Sequence, residues 1–165
     1  MKQKIIWSVS SKRLALIALT TMCIALALFI FVAGSYGPEA DEQVLAQSDS
    51  RILSLEGNTI AVSIADTEEE RELGLSGRPG LAPGSGMLFI FPEVGKYAFW
   101  MKDMRFSIDI LWLANDGRVI YIKENVSPNT FPASFAPSSP ARYVLELPAG
   151  YVQTHNITVG DKAIL

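Results

Sequence analysis

Residues 87–91 read Met87-Leu88-Phe89-Ile90-Phe91, five large apolar side chains in a row, so both faces of an extended chain are apolar there. A strand with one solvated face alternates, and a run this short cannot make an independent helix, so the stretch reads as a strand covered on both sides. It predicts the central strand of a sheet. Upstream, residues 51–55 and 59–65 flank the turn pair Gly57-Asn58 and predict a hairpin. Thr67 then precedes Glu68-Glu69-Glu70-Arg71-Glu72, which sets a capping hydroxyl three residues before Glu70 and acids at the positive end of a helix dipole. One short helix is expected, ending by 74–79, because Gly77 and Pro79 continue helices poorly. Downstream, strands are expected at 97–101, 108–113, 118–123 and 142–147, with Asn115-Asp116-Gly117 as a hairpin loop and Pro148 opening a helical turn before a last extended segment at 162–165. Short strands with one or two small helices predict a mainly β fold, a compact antiparallel barrel or sandwich.

The 165-residue chain is 49% apolar and 19% charged with a formal net charge of −3, and that charge is unevenly spread. Lys2, Lys4, Lys12 and Arg13 give residues 1–33 a charge of +4 with no acid, whereas the remainder holds 10 bases and 17 acids, −7. Residues 14–33, LALIALTTMCIALALFIFVA, are twenty residues without a charge, Gly or Pro, enough to cross a hydrocarbon core of about 30 Å as a helix. With bases before it and Glu39, Asp41 and Glu42 after it, the positive-inside rule keeps flank 1–13 in the cytoplasm and sends the rest outward. The expectation is a single transmembrane helix or signal anchor in the cell membrane. The alternative is a cleaved signal peptide and a secreted domain, since Ala33, Gly34 and Ser35 are small, although such apolar stretches are normally about 7 to 15 residues. Cys23, the one cysteine, follows Met22 and lies inside the span, so no intramolecular disulfide can form.

Residues 34–50, GSYGPEADEQVLAQSDS, lack both periodicities and read as a flexible acidic linker with a reach of about 20 to 25 Å. They hold four acids and no base, which leaves the β-rich domain at 51–165 with −3. That balance speaks against a nucleic-acid partner.

Alternation through Phe99-Trp100-Met101-Lys102-Asp103-Met104 sets Trp100 opposite Phe99 and Met101 and beside Lys102, an aromatic plate next to an ammonium, which suits an anionic or carbonyl-bearing ligand. The competing reading is a core Trp with a lysine leaving the strand toward water. Asp109 alternates with Leu111 and Leu113; on an interior face it needs Lys102, Arg78 or backbone amides as partner, and it reads first as a structural carboxylate fixing the nearby loop. Glu146, between Leu145 and Leu147, is compatible with a solvent face. Residues 125–141, with four prolines, Phe131, Phe135 and no charge, form a long connection without secondary structure of its own, either a lid or passive surface packing. His155 is the sole His, no phosphate-binding glycine loop precedes a helix, and no nucleophile elbow is spelled, so no cofactor and no metal site is expected.

The stretches Glu70-Arg71-Glu72-Leu73-Gly74-Leu75, Gly86-Met87-Leu88-Phe89, Phe99-Trp100-Met101-Lys102, Ile108-Asp109-Ile110-Leu111, Val144-Leu145-Glu146-Leu147-Pro148-Ala149-Gly150 and Gly160-Asp161 are those by which the domain resembles the exported family called domain of unknown function 192. The family's Gly-Leu-Met-x-Arg stands here as Gly74-Leu75-Ser76-Gly77-Arg78, its Lys-Asn-Thr as Lys102-Asp103-Met104, and its Ile-Pro-Leu-Asp as Phe106-Ser107-Ile108-Asp109, so Arg78, Trp100, Lys102 and Asp109 are matched. The resemblance implies a compact β-rich exported domain, often behind a signal peptide or anchor, and supplies no established reaction.

The expectation for function is therefore a membrane-anchored extracytoplasmic binding module, taking a small polar ligand, a peptide or an envelope protein on a face with Arg78, Trp100, Lys102 and Asp109. One alternative is an envelope enzyme pairing Asp109 with Glu146 or Asp103 and using Lys102 to stabilise negative charge. The other is an assembly or stability factor for a membrane complex.

Overall fold

The computed structural model describes residues 50–165; the expected flank at 1–13, the span at 14–33 and linker residues 34–49 lie outside the described residues. Among the described residues no helix is long and apolar enough to cross a membrane. Strands β1 (Ser50–Leu55) and β2 (Asn58–Ala65) form the expected hairpin, and helix α1 (Glu68–Leu73) leads to β3 (Ser85–Gly95). After β4 (Phe99–Trp100) come β5 (Ile108–Leu113), β6 (Val119–Val126), a 3-10 turn at Pro128–Thr130, β7 (Ser134–Phe135), β8 (Ala141–Pro148), helix α2 (Tyr151–Thr154) and β9 (Ala163–Ile164).

Seven strands make one sheet in the order β6-β5-β8-β3-β2-β1-β9, and β4 with β7 makes a separate ribbon. The 87–91 run lies in β3, the middle strand of the seven, as its apolar faces require. The sheet is mainly antiparallel, but β2 and β3 run parallel from Ala61↔Ser85 to Ala65↔Phe89. Residues 66–84 carry the chain back across the sheet before β3 begins, and parallel neighbours demand such a crossover. The sheet curls into a half-barrel. Its carboxyl-terminal segment pairs with β1 on one side, Leu55↔Ala163, and on the other receives the Val119 amide at the Asp161 carbonyl, 2.8 Å, closing that end. Gly117 permits this: at φ +83, a Cβ there would sit 2.4 Å from the Ala163 carbonyl oxygen.

Two apolar clusters occupy the two faces. One gathers Leu53, Ile60, Val62, Leu88, Leu111, Leu145, Leu147, Val119 and Ala163 from strands at both edges as well as the centre, and so fills the concave side. The other holds Met87, Phe89, Ile110, Trp112 and Val144, on the convex side, covered by Leu75 and Met101 and by partly buried Phe99, Phe106 and Phe135 from the connecting segments. Trp112, fully buried, donates its Nε1–H to the Tyr97 carbonyl oxygen at 2.8 Å.

Sequence and structure differ in three places. The strand expected at 97–101 shrinks to Phe99–Trp100 and lies off the main sheet, its partner being Ser134–Phe135. Residues 125–141, expected to lack secondary structure, contribute that partner and the 3-10 turn, which Ser127 caps by accepting from the Asn129 amide at 3.2 Å. The first hairpin turns on Glu56 and Gly57, at φ 48 and 79, one residue earlier than Gly57-Asn58, because that pair takes the two positive φ angles that a two-residue turn needs.

Candidate functional site

Glu146 lies in β8, flanked by Met87 of β3 and Ile110 of β5, with covered strands on both sides. Its neighbours Leu145 and Leu147 point into the concave core, so alternation turns its side chain to the convex face beside Phe89. That face is covered, and Glu146 is only 5% exposed, which corrects the expectation of a solvent face. Oε2 is buried without a hydrogen-bond partner. Burial pushes the carboxyl up from 4.5 to about 8, against the pull of the nearby Arg78 guanidinium, so at neutral pH it is mostly protonated. The signal was present in the sequence: Val144-Leu145-Glu146-Leu147 is apolar on both faces apart from this one residue, as 87–91 is, and implies cover on both sides.

Glu146 borders a cavity of about 660 Å³. Helix α1 supplies one wall with Glu68, Arg71 and Glu72. Its position follows from its caps: the Thr67 hydroxyl accepts from the Glu70 amide at 3.2 Å, and the Glu70 carboxylate accepts from the Thr67 amide at 3.1 Å, which holds that carboxyl below its ordinary value. The facing wall is aromatic: Phe91 stacks on Tyr97 with centroids 3.5 Å apart, and Phe89 meets Phe99 edge-on at 4.8 Å. Arg71 lies over the Phe91 ring, 5.4 Å from its centroid, and donates from Nη1 to the Ile90 carbonyl oxygen at 2.9 Å and to that of Asp66.

Trp100, Lys102 and Asp103 line the same cavity. Met101 is buried and Phe99 packs on the convex core, so alternation leaves Trp100, 56% exposed, and Lys102 at the rim. The segment is pinned to the chain after α1: the Ser76 hydroxyl donates to the Lys102 carbonyl oxygen and the Gly77 amide to that of Asp103, both at 3.0 Å. Trp100 meets Phe131 edge-on at 6.0 Å, and Phe131 is itself 45% exposed. Arg78 is half-buried beside Glu146 and does not line the cavity.

Asp109 is elsewhere. It opposes Leu147 across β5 and β8, one residue from the Ile110↔Glu146 pair, and therefore points to the concave side. Fully buried, it accepts from the Asn125 amide at 2.8 Å and the Val152 amide at 2.9 Å, so backbone amides are the partners and neither Lys102 nor Arg78 is. The pair Asp109 and Glu146 thus opens to opposite faces and forms no common site, whereas Asp103 and Glu146 line one cavity.

A cavity of about 460 Å³ on another part of the surface is lined by Asn58, Thr59, Tyr151 and His155 among others. His155 stacks on Tyr151 with centroids 3.8 Å apart, and its Nδ1 is 2.9 Å from the Tyr151 carbonyl oxygen. No charged group there is buried without a partner. Among the described residues no group of three or more His, Cys, Asp or Glu is placed to hold a metal ion.

Residues 51–165 match the family DUF192, described as Uncharacterized ACR. The chain belongs to this family. A crystal structure from Sinorhizobium meliloti 1021, described as that of a "putative transcription regulator", is 35% identical with a TM-score of 0.66, covering 70% of this chain and 92% of that one. A protein of unknown function from Novosphingobium aromaticivorans DSM 12444 is 26% identical with a TM-score of 0.67, covering 70% of this chain and 85% of that one. Among curated proteins none matches.

Proposed function

We propose that this DUF192 domain is a ligand-binding module, held outside the cytoplasm by a span at 14–33, whose pocket is the convex-face cavity floored by Glu146 and edged by Trp100 and Lys102. One observation carries the reading: Glu146, a residue only 5% exposed that lines an aromatic-walled cavity, has a carboxyl oxygen without a partner. Evolved interiors satisfy buried polar groups because each unpaired one costs about 1–3 kcal/mol, so an unsatisfied group at a cavity is placed for something that enters it. The cavity sets aromatic rings beside charged side chains, a lining that suits a small amphiphilic molecule.

Transcription regulation, in the description of the Sinorhizobium protein, is not carried over. Among the described residues the helices are six and four residues long, too short for a recognition helix in a major groove, and a domain of charge −3 does not favour phosphate contact.

The test is a thermal-shift screen of the purified full-length protein against small amphiphilic molecules, repeated on Trp100→Ala and Glu146→Gln. A stabilising compound should lose most of its effect in both variants. Compounds that stabilise both variants as well as the wild type would place binding elsewhere. For the anchor, a reporter fused after residue 165 should be active only in its extracytoplasmic form; activity of the cytoplasmic form would sink that part.

A further inference from the structure

We propose that the head group received by this cavity is a protonated amine, which pairs with the Glu146 carboxylate. The inference rests on the cavity being a ligand site and names its ligand class. In balanced form, the neutral carboxyl and an ammonium become a carboxylate–ammonium pair plus one released proton.

Three features favour a cation. The unsatisfied oxygen is a pure acceptor once ionised, and an ammonium brings three donors to it. Aromatic rings line the cavity and attract cations through their quadrupoles, as the Phe91 ring does with the Arg71 guanidinium 5.4 Å from its centroid. The lining charges are unequal even while Glu146 is protonated: Glu68, Glu72 and Asp103 against Arg71 and Lys102, a balance that favours cations at the mouth. An anionic ligand would meet these acids instead.

The groups around Glu146 leave its Oε2 unpaired. From α1, Arg71 is engaged with the Asp66 and Ile90 carbonyl oxygens. After β4, Lys102 is exposed at the rim beside Asp103. From the chain following α1, Arg78 is near enough to favour the ionised form yet makes no ion pair with it among the described residues. Tyr97 adds a phenol on the aromatic wall, and the strand neighbours Met87 and Ile110 are uncharged. Burial then accounts for the raised carboxyl, and an entering ammonium would bring it down.

Isothermal calorimetry of the full-length protein with n-pentylamine, in buffers of different ionisation enthalpy, reads the proton directly. At pH 7 about one proton should leave per amine bound, and affinity should rise roughly tenfold per pH unit between pH 6 and 7.5 before levelling. Glu146→Gln, shown by circular dichroism to be folded, should bind pentylamine at least tenfold more weakly with no proton released; the wild-type proton count stands even if that variant does not fold. Nα-acetyl-lysine amide separates the sources: tighter than pentylamine means a peptide side chain, weaker means a free amine, and both support the amine class. Pentanamide or pentanoate binding more tightly than pentylamine, or pentylamine binding without proton release, overturns the amine and leaves the cavity a ligand site. If none of these probes perturbs the Trp100 indole resonance, both readings fall.

Discussion

Asp109 and Glu146 are both buried carboxyls on adjacent strands, one residue apart in register, and they differ in almost every other respect. On the concave side Asp109 accepts two backbone amides, from the end of β6 and from α2, and so ties both connections to the sheet. On the convex side Glu146 lines a cavity and has an unpartnered oxygen and a carboxyl raised to about 8. Burial alone therefore does not mark a functional acid. The account of partners separates a group that ties two connections to the sheet from one that the fold leaves unpaired.

The largest effect should come from the inner member of this comparison. Asp109→Ala leaves the Asn125 and Val152 amides without acceptor, and a loss of about 3–5 kcal/mol in urea unfolding is expected. Asp109→Asn, keeping one acceptor oxygen, should lose less. If Asp109→Ala were nearly neutral, the contrast between the two carboxyls would collapse.

The outer member should respond to pH instead. The native chain keeps the Glu146 proton up to about pH 8, whereas unfolding returns the group to 4.5. Its contribution to stability is therefore complete below pH 4.5, declines as pH rises, and is gone above pH 8, a change of a few kcal/mol at most. Glu146→Gln should flatten that decline and be more stable than wild type at pH 8.5. An unchanged slope in unfolding midpoints between pH 5 and 9 would mean that Glu146 is not the group responsible.

Gly86→Ala tests the backbone that positions Glu146. A Cβ there would lie 2.6 Å from the Glu146 carbonyl oxygen and 2.9 Å from Leu147 Cδ2, so β3 and β8 must part, at an expected cost of about 1–3 kcal/mol. Ligand binding should weaken with it. The smallest effect is on the cavity wall: Thr67→Ala removes the hydroxyl cap of α1 and should cost about 1 kcal/mol, with hydrogen exchange accelerating in α1 and unchanged at the Asp109-bound amides. Equal acceleration at both would show that the two faces are not independent.

Much of the architecture was legible because its causes are local. The apolar doublet of faces at 87–91, the Thr67 and Glu70 capping box and the turn residues each act within a few positions, and the strands and helix stand where they point. What local pattern missed was decided at a distance. The parallel pairing of β2 with β3 depends on where the crossover lands, and the ribbon of β4 with β7 joins residues more than thirty positions apart, so the Pro-rich stretch looked unstructured by itself. Within the candidate site, Trp100 and Lys102 shared a face by alternation. Arg78 and Asp109 could not be assigned to it or removed from it by any spacing.

The sequence by itself determined the family, the mainly β class, the apolar twenty-residue segment at 14–33 and the presence of two carboxyls in apolar strands. Only the tertiary structure decided that one of them turns inward to two amides and the other outward to a cavity. Alternation states that side chains one register position apart face opposite ways, but which face is covered, and by what, is settled by segments that fold back from elsewhere in the chain.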